Sequence, residues 1–457
     1  MNRVAARAWI AIVLVVALLG GFVFFLCEYF AKAGEWVVFP GSPHVYTSGN
    51  IDCGVVVDRD NIKLLDMNGQ REYASDQLLR SATVHWLGDR EGNINAPALP
   101  SYAAQIAGYD ILNGVYNYGQ KAGTVKLTLS ATVQREALKA LGDRKGTVAV
   151  YNYKTGELLC AVTTPTYDPD AAPDISGDTT GAYEGLYVNR FTQSTYTPGS
   201  IFKIVTLAAG LETLPDATEL HFSCTGSYEI GADKIVCEGI HGDQDLKTAF
   251  RNSCNCAFAQ LAQQLGGETL ARYVEQFGIT DPLTFDGITT ATGSYELSDA
   301  QVNVAWSAIG QYNDQVNPAA FLNFVGAIAN GGKGVQPHLV ARIDVGSAKT
   351  YSAKTKTNDR IMSAATAKTV AEYMGFNVED KYGSDNFPGL TVCAKTGTAE
   401  VGGDKRPNAM LAGFASDAEY PLAFVVCVED AGYGATVCIP IASRVLEACK
   451  AAMDGTQ

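Results

Sequence analysis

Residues 8–27, "AWIAIVLVVALLGGFVFFLC", run for twenty positions without a charged side chain. A bilayer core is about 30 Å thick and a helix rises ~1.5 Å per residue, so about 20 apolar residues cross it. Inside lipid only a helix or a closed barrel satisfies every backbone group, so this run is expected to be a helix. Arg3 and Arg7 precede it and an acidic chain follows. That asymmetry keeps the N-terminus inside and places the rest outside. The alternative is a cleaved signal peptide, with Ala31-Lys32-Ala33 as a cleavage site. The apolar core of such peptides is usually only about 7–15 residues long. The expected layout is a cytoplasmic tail over 1–7, a retained single-pass anchor over 8–27 and an extracytoplasmic remainder.

That remainder is long enough for sizeable cores: the chain has 457 residues, 47% of them hydrophobic and 18% charged, which favours two or three domains. The net charge of −14 and the lack of any basic stretch exclude a nucleic-acid partner. The five histidines are scattered and show no metal-ligand spacing. Eleven cysteines are many for an exported chain. Cys27 lies in the span and packs there. Cys224 and Cys237, flanking "TGSYEIGADKIV", are the best disulfide candidates, with free buried thiols as the alternative. Cys254-x-Cys256 suggests metal, but no second pair stands at ligand spacing. No metal and no cofactor are expected.

Residues 28–125 form a small mixed region. "NIDCGVVVDRDNIKLLD" is patterned as strand, turn, strand, and "PALPSYAAQIAGYDILNGVYNYG" as loop and short helix. It shows no catalytic constellation and is expected to be a membrane-proximal α+β pedestal. From 126 to 457 the pattern sharpens. "VKLTLSATVQREALKALGD" predicts a strand and an amphipathic helix, and "GTVAVYNYKTGELLCAVTTPTYDP" a hairpin turning at Lys154-Thr155-Gly156. "PGSIFKIVTLAAGLETL" predicts a helix with Ser200 at its start, and "SCNCAFAQLAQQLGG" a helix with a glycine stop. "LTVCAKTGTAEVGG" and "YPLAFVVCVEDAG" are patterned as neighbouring strands. The fold class expected is α/β, an antiparallel sheet flanked by helices.

Lys203 lies inside the apolar run Ile201, Phe202, Ile204, Val205, three residues after Ser200, so the two share a helix face. A serine is a poor nucleophile until a base takes its proton. A lysine desolvated among such neighbours loses basicity and becomes that base. The competing arrangement is Ser200 as an N-cap with Lys203 snorkelling to solvent. No other lysine in the chain has a serine three residues before it.

Two further strings complete a set: Ser-x-Asn and Lys-Thr-Gly, the companions of Ser-x-x-Lys in penicillin-binding proteins and serine β-lactamases. Ser-x-Asn occurs as Ser48-Gly49-Asn50, Ser253-Cys254-Asn255 and Ser384-Asp385-Asn386. Ser253 and Asn255 are chosen because they sit at a loop-to-helix junction following the Ser200 helix. Lys-Thr-Gly occurs at 154–156, a hairpin tip, and at 395–397, inside an apolar strand that continues to Thr398. A strand bordering a cleft can hold an extended peptide, and Gly397 lets backbones approach. Lys395, Thr396 and Thr398 suit a carboxylate.

In these motifs, and in "NRFTQSTYTPGSIFKIVT", "SCNCAFAQLA", "AIGQYNDQVNPAAF", "AIANGGKGVQPHLV" and "AKTGTAE", residues 120–457 resemble the class B penicillin-binding proteins, peptidoglycan D,D-transpeptidases. Residues 28–120 are similar to the pedestal of that family only through "GNIDCGVVVDRD". One departure is "NAMLAGFA", where the family often carries an aromatic pair; it is expected to reshape the cleft rim around Met410 and Leu411. The pedestal is too short for the glycosyltransferase region of a bifunctional enzyme. The resemblance implies Ser200 as nucleophile on a D-alanyl-D-alanine stem peptide and Lys203 as base. Ser253 would relay a proton and Asn255 orient the substrate amide. Lys395 would add positive potential, and Thr396 and Thr398 would hold the terminal carboxylate. The N–H groups of Ser200 and Thr398 would form an oxyanion hole. It also implies acylation by β-lactams and a membrane glycan polymerase as partner.

Two rivals remain at this level. One is a D,D-carboxypeptidase or β-lactamase of the same fold. A class A β-lactamase needs a glutamate for deacylation, and no Glu-x-x-x-Asn lies between Ser253 and Lys395. The other is a β-lactam sensor or division scaffold without turnover.

Overall fold

The computed structural model describes residues 2–39, 42, 45–47, 50–109, 111, 122–403 and 405–455. The uncharged run lies within one helix, Asn2–Val37. This helix is long and apolar enough to cross a membrane, and its most apolar stretch is covered by nothing else in the molecule. It fits a single-pass anchor.

Five antiparallel strands form the central sheet, in the order Val392–Ala399, Asn408–Ala415, Leu422–Val428, Gly146–Asn152, Leu158–Thr164. Their sequences are almost continuously apolar because both faces are covered. Val148, Val150, Leu411, Phe424 and Val426 belong to a core shared with the helices Ala131–Leu141 and Gly434–Met453. The alternate positions Ala149, Tyr151, Met410 and Val425 face the opposite core, beneath the helix Pro318–Ala329. Period-two alternation thus divides each strand between two layers.

The strands "LTVCAKTGTAEVGG" and "YPLAFVVCVEDAG" were expected side by side; Asn408–Ala415 lies between them and pairs with both. The short link after Ala399 returns the chain antiparallel to its predecessor, which puts the next strand beside it. The rim expected around Met410 and Leu411 is likewise absent. Both residues are buried in this inner strand, one in each core, and neither lines the cleft.

A second sheet has the order Ala348–Ser352, Val340–Val345, Thr124–Leu127, Val55–Val57, Lys63–Asp66, Glu72–Tyr73. Strand Thr124–Leu127 spans the boundary expected at 125–126. It pairs in parallel with Val55–Val57 and antiparallel with Val340–Val345. The region before residue 126 is therefore hydrogen-bonded into the rest of the chain. Helix Gln77–Leu87, capped by the Asp76 carboxylate, packs here against the helix Ala131–Leu141. "PALPSYAAQIAGYDILNGVYNYG" begins with the short helices Ala98–Ser101 and Ala103–Ile106; its later part, 110 and 112 onward, lies outside the described residues.

Candidate active site

Ser200 sits in a 3-10 turn, Gly199–Phe202, that runs into the helix Lys203–Thr213. The regular helix thus starts at Lys203 rather than at Ser200. The turn presses against the edge strand Val392–Ala399. Gly199 has φ +54°, and a Cβ there would stand 2.5 Å from the Thr398 carbonyl oxygen. A Cβ on Gly397 would stand 2.8 Å from the Pro198 carbonyl oxygen. A glycine on each side therefore lets the Ser200 turn and the Lys395–Thr398 strand meet backbone to backbone.

Lys203 is completely buried. Its Nζ donates to Ser200 Oγ at 2.7 Å, Asn255 Oδ1 at 2.7 Å, the Ser253 carbonyl at 2.9 Å and Ser253 Oγ at 3.3 Å. It does not snorkel. Burial lowers its pKa to about 8, helped by Lys381, while Cys237, Cys254 and Glu238 pull the other way. Lys395 is also fully buried and donates to Ser253 Oγ at 2.9 Å and to the Thr396 carbonyl at 2.9 Å. Burial first, then repulsion from Lys203 and Lys381, holds it well below the ordinary lysine range.

Ser253 ends the helix Leu246–Asn252 in the left-handed region, φ +56°, a conformation uncommon for a residue with a side chain. Asn255 opens the helix Asn255–Leu265, and its Nδ2 donates to the Val236 carbonyl at 2.9 Å. Thr396 N–H donates to the Tyr382 hydroxyl, which also lies 3.0 Å from Thr396 Oγ1. Thr398 Oγ1 accepts from Gly434 N–H at the start of the last helix. Ser200, Ser253, Asn255, Trp306, Thr398 and Tyr433 open onto one cleft of about 1070 Å³.

All eight expected residues thus lie at or beside one cleft. Of the competing strings, Ser384-Asp385-Asn386 also comes near: Asn386 lines a pocket with Ser200, Ser253, Thr396 and Thr398. Ser48 and Gly49 lie outside the described residues. Ser384–Asn386 form a 3-10 turn whose Asn386 amide donates to the Tyr382 carbonyl. Lys154, at its hairpin tip, donates to Asn330 Oδ1 at 2.7 Å. Sequence reasoning missed Tyr382, Lys381 and the Val236 carbonyl, which belong to no motif and reach the site only through the fold.

The disulfide expected between Cys224 and Cys237 is not formed; both thiols are free. Strands His221–Cys224 and Gly242–Asp245 pair antiparallel, and the hairpin of Ser227–Ile230 and Asp233–Val236 folds beside them. This places His241 Nδ1 3.6 Å from Cys224 Sγ and 3.5 Å from Cys237 Sγ. His241 is therefore not an isolated histidine, as its sequence spacing suggested.

Sheet, helix and buried lysine together define a serine enzyme with a lysine beside its nucleophile. The chain belongs to the penicillin-binding protein transpeptidase domain family, which it matches over residues 146–447. It is 29% identical over 348 residues to the peptidoglycan D,D-transpeptidase PbpA of Mycolicibacterium smegmatis (strain ATCC 700084 / mc(2)155), covering 68% of each chain. Among solved structures, it superposes on the D,D-transpeptidase domain of a peptidoglycan glycosyltransferase from Eggerthella lenta. That match has a TM-score of 0.76 at 26% identity and covers 89% of this chain and 99% of the other. It shares its fold with penicillin-binding protein A from M. tuberculosis, solved as a ceftriaxone acyl-enzyme complex. There the TM-score is 0.74 at 24% identity, with 87% and 98% covered.

Proposed function

We propose that the chain is a membrane-anchored peptidoglycan D,D-transpeptidase, cross-linking stem peptides through an acyl-enzyme on Ser200 and acylated there by β-lactams. The observation that carries this reading is the 2.7 Å contact from Lys203 Nζ to Ser200 Oγ at the wall of an open cleft. Family membership and the name of the mycobacterial relative support the substrate class.

Ser200 Oγ attacks the carbonyl carbon between the two D-alanines, and its proton passes to neutral Lys203. The N–H groups of Ser200 and Thr398 receive the oxyanion, a contribution typically worth about 3–4 kcal/mol. The C–N bond breaks, D-alanine leaves with a proton relayed through Ser253, and an ester remains. An amine of a neighbouring stem peptide then attacks that ester and returns the proton to Ser200. Asn255 orients the substrate amide. Lys395, Thr396 and Thr398 hold the terminal carboxylate, and Gly397 leaves room for the peptide backbone. These steps call on no cofactor.

In this reading, residues 1–7 are cytoplasmic and 8–27 span the bilayer. Residues 28–125 serve as pedestal and 126–457 carry catalysis outside the membrane. The two arginines before the span support that orientation. A membrane glycan polymerase supplies the strands to be joined, since the anchor holds the site near the surface where such strands emerge.

The test incubates full-length protein with a defined glycan strand. Cross-linked product with D-alanine release is expected, and none from Ser200→Ala. D-alanine release without cross-links would reassign the chain as a carboxypeptidase. Acylation by a fluorescent penicillin with no peptide turnover would make it a sensor. A penicillin adduct mapped to any residue but Ser200 would end the mechanism.

A further inference from the structure

Cys224, Cys237, His241 and Cys254 offer three sulfurs and one ring nitrogen that all lie within 4.8 Å of one another. Cys224 ends the strand His221–Cys224, and Cys237 follows the strand Asp233–Val236. His241 precedes the strand Gly242–Asp245, and Cys254 caps the helix Asn255–Leu265. Four element ends thus converge on one point. In sequence the pattern is Cys-x12-Cys-x3-His-x12-Cys, with none of the close cysteine pairs by which such sites are usually found.

Three of the six separations between the ligating atoms match a tetrahedral site, and all lie within 4.8 Å. With metal–sulfur bonds of about 2.3 Å and a metal–nitrogen bond of about 2.0 Å, a tetrahedral site has S···S edges of roughly 3.8 Å and S···N edges of roughly 3.5 Å. The observed separations are 3.8 Å for Cys237 Sγ to Cys254 Sγ, and 3.5 and 3.6 Å from His241 Nδ1 to Cys237 and Cys224 Sγ. A disulfide would need about 2.05 Å. Ala257 N–H donates to Cys254 Sγ at 3.4 Å, which fixes that sulfur at the start of its helix. Three sulfurs and an imidazole suit zinc and not the oxygen-seeking magnesium or calcium.

We propose that Cys224, Cys237, His241 and Cys254 bind one Zn(II) ion, which pins the Ser253-Cys254-Asn255 segment to the neighbouring hairpin and so positions the active site. Cys254 is the middle residue of that segment. The Val236 carbonyl, next to Cys237, holds Asn255 Nδ2, and Asn255 Oδ1 in turn accepts from Lys203. Binding displaces the thiol protons to solvent. Asn255 is oriented through the metal-tied hairpin, so the metal acts on the reaction through position and makes no contact with the reacting atoms.

The metal is read independently of the reaction, so failure here and failure of the transpeptidase reading are distinguishable. Elemental analysis of full-length protein, purified in detergent under reducing conditions, should find about one zinc per chain. After chelation, Co(II) should give thiolate charge-transfer bands and tetrahedral d–d bands that an equivalent of Zn(II) abolishes. His241→Ala and Cys224→Ser should lose metal affinity by at least about 10-fold. His241→Cys should retain the metal, as should Cys256→Ser, which alters a neighbouring thiol outside the set. Chelated wild type should acylate with a fluorescent penicillin about 10-fold more slowly and recover with Zn(II). Absence of zinc together with absence of the cobalt bands would overturn the site. So would a Cys224–Cys237 disulfide in the non-reduced protein, or undiminished zinc in both ligand variants. Acylation unchanged by zinc removal would overturn the positioning role.

Discussion

Lys203 and Lys395 donate to the same hydroxyl, Ser253 Oγ, at 3.3 and 2.9 Å, and neither ammonium has any exposed surface. Two buried like charges around one small acceptor are costly, so the pair gives up a proton far more readily than free lysines do. A lysine with a depressed folded pKa is a base only above that pKa. Acylation by penicillin should therefore fall as pH drops through about 8, the value to which burial brings Lys203, by about tenfold per unit further down. Lys203→Arg keeps the charge but cannot deprotonate, and should be as inactive as Lys203→Ala. Near wild-type acylation by the arginine variant would show that Lys203 acts as a charge.

Only one of the two Lys-Thr-Gly strings should matter to the reaction. Lys395→Ala removes a donor to Ser253 Oγ and should slow acylation by about 10²-fold or more. Lys154→Ala breaks its bond to Asn330 and its contact over the Tyr153 ring, both away from Ser200, and should acylate like the wild type. Stopped-flow labelling of both variants decides it, and equal losses would refute the assignment.

Gly397→Ala puts a Cβ 2.8 Å from the Pro198 carbonyl oxygen and 3.1 Å from Ile201 N. Backbone atoms cannot swing aside, so the turn carrying Ser200 must shift, at a cost of about 1–3 kcal/mol typical of overpacking. A lower melting temperature and slower acylation are expected together. Gly177→Ala, whose Cβ would meet nothing within 4 Å, is the control and should change stability by less than about 0.5 kcal/mol. Unchanged melting and acylation of the Gly397 variant would remove the close-approach argument.

Asp314 is fully buried, and among the described residues neither carboxyl oxygen has a hydrogen-bond partner. Burial raises its pKa well above the carboxylate range, and Ser307 eases this only in part. The folded state therefore holds a proton that the unfolded state, with a pKa near 3.9, releases. Stability from this group is present below the unfolded pKa and declines as pH rises toward the folded one. Asp314→Asn stays neutral throughout. Its melting temperature should exceed that of the wild type by a margin that grows between pH 5 and pH 8; a constant margin would show the carboxyl is not protonated in the fold.

Much was legible in the sequence because it depends on local spacing. Twenty uncharged residues specify a helix long and apolar enough to cross a membrane. Ser200 and Lys203 share a face because three residues make nearly one turn. The apolar strands and amphipathic helices marked the α/β class, and the strand setting of Lys395 separated it from Lys154 at a hairpin tip. What lay beyond reach depends on contacts between distant segments, which no spacing encodes. The insertion of Asn408–Ala415 between two strands, the burial of Met410 and Leu411, and the bond from Tyr382 to Thr396 are of this kind. The four ligands Cys224, Cys237, His241 and Cys254 make the contrast plainest. Their sequence intervals carry no recognisable period, so spacing suggested a disulfide and an idle histidine. Only the pairing of His221–Cys224 with Gly242–Asp245, and the hairpin folded beside them, brings three sulfurs and a nitrogen within 4.8 Å of one another. Strand register, and not chain distance, determines which side chains meet.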